Sequence, residues 1–174
     1  MKEEIFLPNL WCICSLQLTP TIIDIDNQQV TFNLLLNNNL VFFSSIYPST
    51  SNLNRQNLWH KLNTLQATYN APWTFIGNFN DIIGAHEHYG SFSPARSPIN
   101  DFLSFTDSFN LIHLPTRGTF FTWNNGRSNR RHTKRRLDRT IVNQQMLDLC
   151  SSISCSISLI HDYVDAAETK LNDV

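Results

Sequence analysis

The chain opens with apolar runs too short for helices, separated by turn-forming residues. Residues 10–18 read as a first strand, punctuated by Thr19 and Pro20, and Ile22, Ile23 and Ile25 begin a second. Asp26 and Asn27 make a turn, residues 29–36 alternate polar and apolar before turning continuously apolar, and Asn37, Asn38 and Asn39 make the next turn. Residues 40–47 are the most strand-like run and end at Pro48, which has no N–H to continue a ladder. Sequential strands on short turns predict an antiparallel meander on one sheet.

The period then changes. Ser49, Thr50, Ser51 and Asn52 offer helix caps, and Leu53, Leu58, Leu62 and Leu65, with Trp59 beside them, recur at helical spacing as far as Tyr69. A helix of about four turns with one face on the sheet is expected. Trp73 to Ile76 has the length and the aromatic, β-branched content of a buried strand, and it stops at Gly77 before Asn78, Asn80 and Asp81. Strands of layered α/β proteins deliver side chains to a cleft at their ends, so these three polar residues are expected where the core stops; a strand running into an Asx-rich turn has the same pattern.

Residues 82–94 show no period and read as a loop over the sheet edge. His86 and His88 flank Glu87 there, but no third ligand stands at a fixed spacing, and a metal site is not expected. Ser97 and Pro98 read as an N-cap and a first helical position, with Ile99, Phe102, Leu103, Phe105 and Phe109 as the packing face. Residues 111–114 and 119–123 read as short strands flanking 115–118, Asn124-Asn125-Gly126 signals a tight turn, residues 136–142 alternate like a strand, and residues 144–149 read as a short helix. The tail from Ser151 carries no pattern. Consecutive strands early and mixed units later point to an α/β sandwich rather than a doubly wound parallel sheet.

Length and charge narrow the picture. A chain of 174 residues suits one domain with one core, and no internal repeat or linker is visible. With 13 Lys and Arg against 14 Asp and Glu, net charge gives no global argument for nucleic acid or membrane. The distribution differs: eight of those 13 cations fall between Arg117 and Arg139, with Asp138 the one acid among them. That is a local basic patch, or else a solvated loop. Cys12, Cys14, Cys150 and Cys155 have no zinc spacing and read as reduced thiols of an intracellular protein. Residues 5–18 are apolar but broken by Pro8, Asn9 and Gln17 and preceded by Glu3 and Glu4, so neither a membrane span nor a signal peptide is expected.

Ile76-Gly77-Asn78-Phe79-Asn80, Phe102-Leu103, Asn110-Leu111, Leu114-Pro115, Gly118, Phe121-Thr122-Trp123, Asn125-Gly126-Arg127 and Arg136-Leu137-Asp138-Arg139 occur in this order. Together they resemble the endonuclease/exonuclease/phosphatase family, in the form found at the front of plant LINE-type retrotransposon polyproteins. The likeness extends upstream through residues 40–47 and Leu58-Trp59, and implies a domain over residues 10–165, strongest over 40–145, with 166–174 a tail. It implies a four-layer α/β sandwich, DNase I-like, whose members hydrolyse phosphate esters with Mg2+.

The family's site residues carry over unevenly. Asn80 matches the second Asn of the Gly-Asp-x-Asn motif, which helps hold the phosphate, whereas Asn78 stands where the family has the aspartate that activates water. Tyr47 corresponds to the tyrosine that contacts the phosphate, and Asp138 to the aspartate that orients the catalytic histidine. An amide oxygen has negligible basicity near neutrality, and losing a general base costs about two to four orders of magnitude in rate. The family's early strand ending in Asn and its Gln-Glu pair, whose Glu binds Mg2+, find no counterpart before Leu10, and its closing Ser-Asp-His is replaced by a reversed pair, His161-Asp162. The resemblance therefore implies an N-terminally truncated, retroelement-derived domain that has lost catalysis, with no bound cofactor despite the family's Mg2+. The implied partner is DNA, through Arg127, Arg130, Arg131, Lys134, Arg135 and Arg136 beside Trp123; no membrane, no small-molecule cofactor and a monomer are expected. The alternatives are a non-catalytic remnant with weak nucleic-acid binding and, against the basic segment, a phosphatase of small substrates.

Overall fold

The computed structural model describes residues 10, 18–150, 153 and 155–157, the last three by backbone alone. The expectations for Cys12, Cys14, His161, Asp162, the tail and most of the first strand lie outside the described residues.

β1 (Thr21–Ile25), β2 (Gln29–Leu36) and β3 (Asn39–Ile46) form the antiparallel meander, each within a residue of its expected span. Asn37 and Asn38 turn the β2–β3 hairpin with φ of 48° and 63°, the left-handed geometry that asparagine tolerates. α1 (Asn52–Tyr69) then crosses over to β4 (Trp73–Asn78), which pairs in parallel with β3. β10 (Asp138–Val142) lies antiparallel on the far side of β4, and β6 (Ile112–His113) lies on the far side of β10. The six-stranded order is β1-β2-β3-β4-β10-β6.

Period-2 alternation sorts this sheet into two faces. Phe42, Ile46, Trp73, Phe75 and Ile141 bury one face against Leu58, Trp59 and Leu62 of α1 and Phe102 and Phe105 of α2 (Arg96–Ser108). Trp59 stacks on Phe105 at 4.9 Å between ring centres, and Trp73 on Phe42 at 4.7 Å, so aromatic area carries much of this layer. Val41, Leu114, Val142 and Met146 form a second cluster, and Met146 comes from α3 (Gln144–Leu149). Asn143 caps α3, accepting the Met146 N–H at 3.0 Å. Cys150 is a free thiol packed at the edge of that cluster.

Shorter strands stand beyond the main sheet. β7 (Thr116–Gly118) pairs in parallel with β11 (Cys155–Ile157), while β9 (Lys134–Arg135) is flanked by β5 (His88–Tyr89) and β8 (Trp123–Asn124).

Several local expectations are corrected. The loop at 82–94 contains a 3-10 turn, Ala85–Glu87, and β5, because β9 offers His88 and Tyr89 an edge to pair with. α2 starts at Arg96 with Ala95 as its cap, so Pro98 sits within the first turn, where a missing N–H costs no intrahelical bond. α1 runs for 18 residues, longer than four turns, and its Leu53 is 67% exposed, since five residues of helix turn it about 140° away from the buried Leu58. Residues 119–122 belong to no strand; the Thr122 hydroxyl instead accepts the N–H groups of Leu137 and Asp138, both at 3.0 Å. The Asn124-Asn125-Gly126 turn exists as an Asx turn, Asn124 Oδ1 accepting from Gly126 N at 2.9 Å, but inside a longer connection between β8 and β9.

Candidate functional site

Topology brings the candidate residues together. β3 and β4 are parallel and end at the same edge of the sheet, and β10, antiparallel to β4, begins there. Ile46, Gly77 and Arg139 lie in register across the three strands, so the adjoining Tyr47, Asn78 and Asp138 emerge side by side. A cavity of about 340 Å³ opens at this edge, lined among others by Tyr47, Asn78, Asn80, Asp81, Trp123 and Arg135. Asp138 is not part of its wall and meets the site through Asn78, whose Nδ2 donates to Asp138 Oδ2 at 3.4 Å.

The two asparagines fold the strand end back on itself. Asn78 Oδ1 accepts the Asn80 N–H at 2.9 Å, and Asn80 adopts φ of 51°. The Asn80 side chain donates to the Pro48 carbonyl, which ties the end of β4 to the residue after Tyr47. Tyr47 itself is 42% exposed. Asn78 thus positions the turn and faces a carboxylate, and neither of its amide atoms offers a base to water.

Asp81 departs from expectation. It turns inward, 5% exposed, and pairs with Arg55 of α1, whose Nε lies 2.9 Å from Asp81 Oδ2. Arg55 also donates to the carbonyls of Ser49 and Thr50, at 3.0 and 2.8 Å, and so fixes the segment between β3 and α1. No sequence spacing pairs residues 55 and 81; only the crossover brings them together. Burial pushes the Asp81 carboxyl up to about 6 from the ordinary 3.8, while Arg55 pulls it the other way. The folded state then binds the proton more tightly than the unfolded chain, so the stability tied to Asp81 falls as pH rises from about 4 to about 6. His113, half-buried, is pushed down to about 4 from the ordinary 6.5 by desolvation and then by the Arg139 guanidinium, and acts oppositely, costing stability as pH falls from about 6.5 towards 4. The difference in urea-unfolding free energy between wild type and Asp81→Asn isolates the first effect: it is expected to favour wild type most near pH 4, and a flat difference would count against it.

The basic segment divides by environment. Arg127, Arg130 and Arg131 are exposed on the connection between β8 and β9, and Lys134 is half-buried. Arg135 lines the cavity, and its Nε is buried without a hydrogen-bond partner. Arg136 is engaged elsewhere, donating to Thr116 Oγ1 at 2.9 Å, 3.5 Å from Glu87 and over the Phe120 ring at 5.4 Å. Arg139 is buried against Glu87 at 2.8 Å. Glu87, which the sequence places between two histidines, is therefore the buried anion of an arginine cluster, while His86 is exposed and His88 half-buried.

A divalent magnesium ion needs several oxygen ligands, carboxylates foremost. The carboxylate of this wall is Asp81, already held by Arg55, and no group of three or more His, Cys, Asp or Glu side chains placed to hold a metal occurs among the described residues. This donor set does not fit Mg2+.

Comparison with solved structures shows the fold. The endonuclease domain of TRAS1, a telomere-specific non-LTR retrotransposon, aligns with a TM-score of 0.60 at 16% identity, over 78% of this chain and 60% of that one. A β-hairpin deletion mutant of beta toxin from Staphylococcus aureus aligns with a TM-score of 0.52 at 11% identity, over 76% of this chain and 49% of that one. The chain thus spans about half to three-fifths of these two structures. No protein-family model matches the chain, and no curated protein matches it. The architecture is the α/β sandwich of the DNase I-like class.

Proposed function

We propose that this DNase I-like domain derives from a LINE-type retrotransposon endonuclease of the plant kind, engages the sugar–phosphate backbone of DNA at the β3–β4–β10 edge, and lacks a working general base. The observation that carries this reading is the composition of one wall: Asn80 and Arg135 line the cavity that Tyr47 and Trp123 border, while an amide, Asn78, ends β4. Guanidinium and amide donors suit a phosphate oxygen, and an exposed tryptophan beside them suits a sugar or base. Arg127, Arg130 and Arg131 extend positive charge away from the cavity, as a polyanion longer than one phosphate requires. The ordered motifs and the likeness to a retrotransposon endonuclease domain support the ancestry.

Binding and catalysis are tested separately. Fluorescence anisotropy with duplex DNA is expected to give affinity that falls linearly in log–log terms with salt, and replacing Arg127, Arg130 and Arg131 together by alanine to shrink that slope by about 2 to 3. An unchanged slope would remove the nucleic-acid assignment of these residues. In a plasmid-nicking assay with Mg2+ the wild type is expected to stay at background; nicking that survives purification and vanishes in Asn80→Ala would overturn the loss of catalysis.

A further inference from the structure

A second cavity, about 170 Å³, lies at the opposite end of β4, where α1 ends and α3 begins, and it is lined by Gln66, Asn70, Ala71, Phe109, Asn143 and their neighbours Gln144 and Gln145. None of these side chains carries a charge. Gln66 is 4% exposed, and both its Oε1 and its Nε2 are buried without a hydrogen-bond partner. A buried primary amide with both ends unpaired is costly, and most such groups find partners within the protein.

The neighbouring amides have partners. Asn143 Oδ1 accepts from Trp73 N and Met146 N, at 2.9 and 3.0 Å, and its Nδ2 donates to the Ala71 carbonyl at 2.7 Å. Asn70 Oδ1 accepts from Gln145 Nε2 at 3.2 Å. Asn143 is thereby a fixed wall, and Gln66 is the wall residue with donor and acceptor both unspent. The Gln66 amide therefore has no hydrogen bond to lose on turning toward the cavity, and its soft terminal torsion lets donor and acceptor swap places to suit a ligand.

We propose that this cavity binds one neutral, planar heterocycle carrying a donor and an acceptor side by side, of the kind on the adenine N6/N7 edge, through the Gln66 amide. A glutamine amide matches that edge with two hydrogen bonds. Phe109 and Ala71 supply the apolar surface for a ring. At about 30 Å³ per water the volume corresponds to roughly five or six waters, room for a base without its sugar and phosphate. The lack of charge on the wall disfavours an anion, which separates this site from the cavity at the other strand end.

The probe is 9-methyladenine, titrated into the full chain and followed by NMR of side-chain amides. Saturable binding with a Kd on the order of a millimolar is expected, with the Gln66 side-chain amide among the shifted signals. 9-Methyl-7-deazaadenine, which lacks the N7 acceptor, is expected to bind about fivefold to tenfold more weakly. Gln66→Leu is expected to lose binding while its thermal unfolding temperature rises, because an unpaired amide is replaced by an apolar side chain; Gln66→Met serves the same purpose should the branched side chain fit poorly. No saturable binding, equal affinity for the deaza compound, undiminished binding by the Gln66 variants, or shifts confined to Trp123 and its cavity would each overturn the proposal.

Discussion

Gly77→Ala is expected to cost about 4 kcal/mol of folding stability, enough to unfold a marginal domain of this size. Gly77 holds φ of +137°, a region open to glycine and closed to other residues, and forcing a side chain there costs about 1–3 kcal/mol by itself. Space adds the rest. A Cβ at Gly77 would stand 2.2 Å from the Ile46 carbonyl oxygen, which is backbone and cannot swing aside as a side chain would. Ile46 and Gly77 face each other in the parallel β3–β4 ladder, so relief requires parting the two strands whose ends carry Tyr47 and Asn78. Gly126 supplies the control: it also has positive φ, +65°, but nothing lies within 4 Å of its added Cβ. Gly126→Ala is expected to cost about 1 kcal/mol, the conformational part alone. Urea unfolding of the two variants measures the gap; equal losses would show that the β3–β4 contact gives way and that Gly77 is retained for its dihedral only.

The same glycine shows what could be read from the chain. Local signals located the strands of the main sheet better than the short ones: apolar alternation marked β2, asparagine pairs marked its turn, and the abrupt stop at Gly77 marked the end of β4, whereas β5 and β7 lie in segments read as loops. Asparagine is a better guide than polarity suggests, because each non-glycine residue with positive φ among the described residues is an asparagine, Asn80 included. Ordered motifs pointed to Tyr47, Asn78 and Asp138 as candidates, and strand register explains why they meet: equal distances from three paired positions bring them to one edge. What stayed illegible was the inward use of charge. Arg55 with Asp81, and Arg139 with Glu87, are pairs 26 and 52 residues apart, made by a helical crossover and a long excursion rather than by any period. Read along the chain, Arg139 belonged to a basic run and Glu87 to a histidine-flanked loop. Only burial, which depends on what packs above them, distinguishes a solvated cation from one that needs a partner.

Arg139→Met is expected to cost about 3–5 kcal/mol, the range for stranding a buried charge. Glu87 is wholly buried, held by Arg139 Nη2 at 2.8 Å and Nη1 at 3.3 Å and by the Ile83 N–H at 2.9 Å, with Arg136 at 3.5 Å as the remaining cation. Arg139 in turn donates to the carbonyls of Asp81 and Arg136, at 3.1 and 2.6 Å, and lies over the Phe102 ring at 5.3 Å. Burial lowers the Arg139 pKa from its usual value and Glu87 offsets part of that, and the guanidinium, always charged, needs the carboxylate as its buried counter-ion. Methionine fills similar volume over Phe102 but leaves Glu87 with a partner that is itself partly exposed. Two readouts separate a stranded charge from simple loss of packing. Adding Glu87→Leu to Arg139→Met is expected to recover most of the loss, since removing both partners of a buried pair is often nearly neutral. Arg139→Lys, which keeps the charge but not the planar fork, is expected to lose clearly less than Arg139→Met. A deficit that is as large in Arg139→Lys and persists in the double variant would mean that Arg139 acts through its contacts with Phe102 and the Asp81 carbonyl, and that the segment joining β4 to β5, with the cavity wall it carries, is held by those contacts rather than by the ion pair.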